Sequence, residues 1–429
     1  MPASPSLLIV PARFKTGKLY TQIATTSAGV VLGSSGDFNV TRATTATRFN
    51  SAGLIESVAS GVPRLDYYTS GGTAGCPALL VEPAATNGIR NNAMVGAVTG
   101  TPGTLPTGGG WSSILIGLTQ TIVGVGAENG ISYVDINFSG IATSTSALET
   151  RYESLTQIDA LSGQAWTHSV YLKKIADPNP PANYRLNIYE RTSGGSYVAN
   201  GDLIIVPTTT IQRFTQTRTL SGGGTVAKVQ PTLLYGVVSG STYDFTLRIG
   251  YPQMELGSVA TSVIPTTAAP VTRNADVISL SGAVSGCIGQ TEGTIYAEVD
   301  IRAFNVGFIA TISDGTASNR IEFYKFTGNI IYFDRISSTQ SAATGLGSSA
   351  LTAGIFKVAI AYKSGDTTMY INGTQVGAIQ TQTFTFSSLT KINIGSSRSD
   401  GQAFNDRIRA AALYTTRLTN AQLQALTTL

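Results

Sequence analysis

At 429 residues the chain is long enough for two or three domains, each with a core of its own. Charged residues make up only 12% against 42% hydrophobic, with 47 glycines, which excludes a disordered polyelectrolyte and fits a β-rich chain with many glycine turns. The net charge of +4 is spread without a Lys/Arg run, and no apolar stretch approaches the roughly 20 residues that cross a bilayer, so neither a nucleic-acid partner nor membrane insertion is expected.

The start, "MPASPSLLIVPARFK", holds an apolar run shorter than a signal-peptide core and flanked by prolines, so the chain is expected to remain in the cytoplasm that makes it. Residues 1–86 show little periodicity. Their Pro, Gly and single charges predict an extended segment that gains order by lying on a neighbour. Within it "SGVPRLDYYTSGGTAGCPALLVEP" crowds Arg64, Asp66, Cys76 and Glu82 together. No catalytic partner accompanies them, so they are expected to serve attachment or packing, with Arg64 and Asp66 hydrogen-bonded to hold turns. Cys76 and Cys287 are far apart and form no CxxC pattern, which predicts two separate thiols.

Residues 87–277 read as a first β-module. "ISYVDINFSG", "AWTHSVYLKKI", "YRLNIYER", "DLIIVP", "QRFTQTRTL" and "STYDFTLRIGYPQMEL" are strand-like and separated by polar turns, the pattern of a sandwich or jelly roll. Residues 278–429 read as a second. "GTIYAEVDIRA", "NRIEFYKF", "NIIYFDRIS" and "DRIRAAALYTTRL" alternate apolar and polar residues, Asn372-Gly373 suits a primed hairpin turn, and Thr419 with Gln422 forms a capping box on a short C-terminal helix. The fold class expected is therefore all-β: an extended N-terminal segment, two antiparallel β-sandwich domains and a short C-terminal helix.

Three stretches carry a resemblance. "GDFNVTRATTATRFNSAGLIESVASGVPRLDYYTSGGTAGCPALLVEPAATN" resembles the N-terminal block of tailed-bacteriophage tail-fibre and head-fibre-like proteins. "SGQAWTHSVYLKKI", "QRFTQTRT" and "PQMELGSVATSVIPTTAAPVTRNADVI" are similar to carbohydrate-binding-module-like jelly rolls of the same proteins. "GTIYAEVDI", "MYINGTQVG", "INIGSS" and "FNDRIRAAALYTTRLTNAQLQAL" are similar to laminin-G-like, concanavalin A-type lectin domains, with Asn405 and Asp406 where that family often has Gly. The resemblance implies a virion component, fibre or decoration protein. It would partner other virion proteins, itself as a homotrimer, and a host-surface glycan.

Chemistry is sparse. His168 is the only histidine, no G-x-S-x-G elbow exists, and HExxH and CxxC are absent, so no catalytic residue, metal or cofactor is expected. Glu298 with Asp300, or Glu322 with Asp334, are the carboxylate pairs a depolymerase would need. Sugar binding asks only for an aromatic platform and polar loops. Trp111 and Tyr251 are the platform candidates in the first module. Asp314, Asn319 and Asp400 are loop candidates in the second, for sugar or calcium, although the six to eight oxygens of a calcium site do not assemble from the sequence.

Overall fold

In a computed structural model the described residues are 4–25, 29–32, 37–67, 75–146, 148–282, 285–337, 344–386 and 388–429. They form antiparallel sheets and, among these residues, one α-helix, Asn420–Thr427. Part of the loop between Arg64 and Glu82, residues 68–74, lies outside the described residues.

The chain divides into two compact units, and the first is discontinuous. Residues 1–84 cluster with 274–429, while 85–273 form the second. The segment over 1–86, expected to be extended and to gain order by lying on a neighbour, contributes strands to the C-terminal sandwich up to residue 84. Strand Asp406–Tyr414 pairs on one edge with Glu292–Ile301, and its other edge is shared by Leu7–Ile9 and Ala78–Val81. In the opposing sheet, Phe38–Thr41 pairs with Val277–Ser281, which pairs in turn with Lys391–Ile394. Leu7, Ile9, Phe38, Val40, Leu79 and Val81 lie in one core with Ile295, Val299, Phe323, Phe333 and Ile392. Burying those side chains, at about 25 cal/mol per Å² of apolar surface, is what orders the segment. Gly395, with φ +73°, allows the close approach: a Cβ there would meet Val81 at 2.7 Å.

Charge completes the seam. Arg64, fully buried, binds Glu82 at 2.7 Å and also binds Asp276, which takes Arg42 at 2.9 Å. Burial alone would lower the Arg64 pKa, but Asp276 and Glu82 more than offset this and hold it above the ordinary arginine value. Asp66 accepts from Phe49 N at 2.7 Å and from Arg407 at 2.5 Å, and Asp406 binds Arg302 at 2.9 Å as well as the buried Lys325. Cations and carboxylates from both ends of the sequence alternate along this line, so each buried charge has a partner. Cys76 is exposed and Cys287 buried, both free.

Local signals behave as their chemistry requires. Asn372 and Gly373 both take positive φ, at 48° and 79°. Thr419 and Gln422 cap the helix reciprocally.

The second unit packs two sheets around its own core. One carries, in spatial order, Ser112–Ile114, Leu148–Arg151, Lys228–Tyr235, Tyr184–Arg191 and Tyr197–Ile205, with Ile158–Asp159 also on Lys228–Tyr235. The other carries Thr119–Glu128, Ile131–Ile141, Thr242–Leu256, Ala165–Asn179 and Gln212–Thr219. Between them lie Leu148, Leu186, Ile188, Leu233, Val134, Phe138, Phe245 and Leu247. Ala85–Asn87 and Val271–Arg273, the first and last strands of this unit, pair with each other.

Candidate functional site

Alternation along the second unit's strands turns Leu186 and Ile188 inward and therefore Asn187, Tyr189 and Arg191 outward. Register then assembles a polar face that no linear stretch contains. Arg151 stands opposite Thr232, Thr232 opposite Asn187, and Asn187 opposite Asp202. In neighbouring rows Tyr189 stands opposite Gln230 and Asn200, and Arg191 opposite Tyr197.

The side chains on this face support one another. Glu149 accepts from Arg151 Nε at 2.6 Å and from the Tyr189 hydroxyl at 2.9 Å. Burial and the Glu149 charge push the Tyr189 pKa up to about 12, so it remains a donor. The Arg191 guanidinium lies 4.8 Å from the Tyr189 ring centre and donates to Gln230 at 2.9 Å and to the Gly195 carbonyl at 3.1 Å. Tyr197, 60% exposed, meets Tyr189 edge-to-face at 6.2 Å, and its hydroxyl donates to Asn200, which donates to Asn187 Oδ1.

Three donors on this face are not fully used. Among the described residues, Arg151 spends only Nε and Arg191 only Nε and one terminal nitrogen, while buried Asn187 Nδ2 has no partner. Burial and the nearby Arg151 charge lower the pKa of Arg191. Arg151, with both terminal nitrogens unspent, and Arg191, with one, beside a tyrosine ring suit a planar carboxylate carried on a sugar-sized ring. Glu149 fixes Arg151 without using its terminal nitrogens.

The residues singled out from sequence lie elsewhere. Trp111 is a core residue, packed edge-to-face on Tyr152 at 5.0 Å with Nε1 donating to the Asn91 carbonyl at 3.2 Å, which leaves no open ring face for a sugar. Tyr251 is half-buried on the five-stranded sheet, where Ser132 Oγ donates to its hydroxyl at 3.3 Å. In the first unit, Asp314 closes its own turn by accepting from Thr316 N at 2.7 Å. Asn319 is buried and donates to the Ser388 carbonyl. Asp400 accepts from Lys391 at 2.9 Å and Asn393 at 2.5 Å. No group of three or more potential metal ligands occurs among the described residues. His168 is fully buried edge-on to Tyr152, and burial holds its pKa down to about 3. Arg64, Asp66 and Glu82 sit in the ion-paired seam.

Residues 273–424 match the Concanavalin A-like lectin/glucanases superfamily. No relative among curated proteins matches the chain. Similar solved structures include the Ruminococcus gnavus IT-sialidase CBM40 bound to α2,3 sialyllactose, at 16% identity over 33% of this chain and 84% of that one, TM-score 0.30. The tripod from the baseplate of bacteriophage Tuc2009 is similar at 14% identity over 73% and 99%, TM-score 0.30, and mouse laminin α1 domains LG4-5 at 12% over 64% and 88%, TM-score 0.25. These scores lie below the level at which a shared fold is established.

Proposed function

We propose that this chain is a non-enzymatic structural component of a tailed-phage particle whose second unit binds an acidic glycan on the host surface. The phage assignment rests on the resemblance of residues 36–87 to fibre-type N-terminal blocks. The binding assignment rests on one observation: the partly unspent guanidiniums of Arg151 and Arg191 share a sheet face with Tyr189 and Tyr197. A sugar carboxylate would take the two terminal nitrogens of Arg151 and the remaining one of Arg191, and the ring would lie against the tyrosines.

Binding is favoured over hydrolysis by the carboxylate geometry. Glu322 stands directly opposite Asp334 on the neighbouring strand and is held by Arg320 at 2.5 Å and Arg398 at 3.2 Å, whereas a glycosidase sets its two carboxyl groups on either side of a scissile bond about 5–9.5 Å apart. Glu298 is held by Arg409 at 2.7 Å. A glycan array with sialylated, uronate-containing and neutral arms tests the reading. Acidic glycans should be retained by the wild type and lost by Arg151→Ala and Arg191→Ala. No acidic hits would favour a purely structural decoration protein, and release of reducing ends from host capsule would favour a depolymerase.

A further inference from the structure

Strand Thr119–Glu128 forms one edge of the second unit's five-stranded sheet and pairs on its inner side with Ile131–Ile141. The turn between them, Asn129-Gly130, takes φ 53° and 76°, the two-residue hairpin whose flanking residues Glu128 and Ile131 form a hydrogen-bonded pair. Pair types alternate from there, so Val125 and Ala127 turn their N–H and C=O groups away from Ile131–Ile141 and out of the sheet edge. Beyond a bulge between Ile122 and Gly124, Ile122 also faces out. Ile122 is covered, because it exchanges both backbone hydrogen bonds with Gly100 at 2.9 Å. Among the described residues no backbone partner reaches the outer edge of residues 123–127.

The open stretch reads "VGVGA". Val123 is 51% exposed and Val125 40%, although Val125 stands opposite the fully buried Val134, so the core itself opens at this edge. Val98, on the segment that covers Ile122, is exposed as well. Gly124 and Gly126 leave room for side chains of the neighbouring strand: a Cβ would fall 2.7 Å from Asp135 Oδ2 at Gly124 and 2.9 Å from the Tyr133 hydroxyl at Gly126. Sheet edges are commonly blunted by lysine, proline or an inward charge, and residues 119–127 hold none of these. The chemistry that fits such an edge is another extended strand, which takes the backbone groups and covers the valines.

We propose that the occupant is the same edge of a second copy, with Thr119–Glu128 running antiparallel to its counterpart across a two-fold axis at Val125. Length argues for a copy. The open edge ends at covered Ile122 on one side and at the Asn129-Gly130 turn on the other, and an identical strand centred on Val125 sets Val123 against Ala127 and turns away where Ile122 is covered. Charge does not oppose the match: residues 123–127 carry none, and Glu128 is already held by Lys173 and Arg248. Val125 then exchanges both of its outward backbone bonds with its own counterpart, and one sheet runs through both copies. The contact is small against a standard interface, so association depends on concentration. It needs a two-fold axis, so it joins assemblies in pairs and is separate from the three-fold association that the fibre resemblance implies.

The test is sedimentation equilibrium of the full chain over a concentration series. The mass of the assembly should double with concentration, and Val125→Pro, which removes the central N–H from both strands, should weaken that doubling about 10- to 100-fold. Proline at an outward-facing edge position spares the internal ladder, and unchanged circular dichroism and melting verify the fold. Val125→Glu and Val125→Lys each set like charges against one another across the axis, so each alone should stay at the undoubled mass, while their equimolar mixture should recover doubling as a mixed pair. No doubling by the wild type, doubling retained by Val125→Pro, or a mixture that stays undoubled would each overturn the proposal. None of these outcomes bears on acidic glycans at Arg151 and Arg191.

Discussion

Single side chains in this protein carry opposite responses to acid. Asp334 has a folded-state pKa raised to about 6 from an ordinary 3.8, so the folded form binds the proton more tightly and stability is lost as pH rises through about 4 to 6. Asp334→Asn should stabilise the first unit at pH 7.5 by roughly 1–3 kcal/mol, read by denaturant unfolding. His168 behaves in reverse. Its folded pKa of about 3 lies below the ordinary 6.5, so the second unit should lose stability as pH falls below 6.5, by up to several kcal/mol near pH 3. His168→Gln should remove that slope, and an unchanged acid transition would contradict it. On the proposed binding face, Arg191→Ala should weaken an acidic glycan by about 10- to 100-fold, as expected for a charge-assisted pair worth about 1.5–3 kcal/mol. Surface plasmon resonance on immobilised glycan would show it.

At the scale of elements, the N-terminal strands behave as part of the lectin-like sandwich. Without Leu7–Ile9 and Ala78–Val81, the outer edge of Asp406–Tyr414 would present unpaired backbone and the core would lose Leu79 and Val81. Residues 274–429 expressed alone should be insoluble, and co-expression with 1–84 should restore soluble protein. A soluble, cooperatively folded 274–429 fragment would contradict this. Arg64→Ala would leave Glu82 and Asp276 buried without their shared partner, a loss of about 3–5 kcal/mol. Thermal melts of the first unit would register it. The strand character of these elements was legible in the sequence because alternation is local. Their partners were not, because a strand of three or four residues such as "LLI" or "ALLV" specifies a face but no neighbour.

For the whole molecule, the two units have separate cores, and residues 85–273 should fold alone and retain any acidic-glycan binding of the full chain. Assembly into a trimer, which the fibre resemblance implies, would multiply weak sugar contacts into avidity. Light scattering giving only the 44.7 kDa monomer at all concentrations would remove that expectation. The sequence by itself determined the all-β class, the helix cap at Thr419 and the hairpin at Asn372, since each depends on residues within a few positions of one another. Tertiary structure decided the rest: that residues 1–84 complete a sandwich with 274–429, and that Glu149, Arg151, Tyr189, Arg191 and Tyr197 share a face. Trp111 had the right chemistry for a platform, but hydrophobic burial against Tyr152 claimed it. Strand register brings together residues about 40 positions apart, and no periodicity along the chain records that pairing.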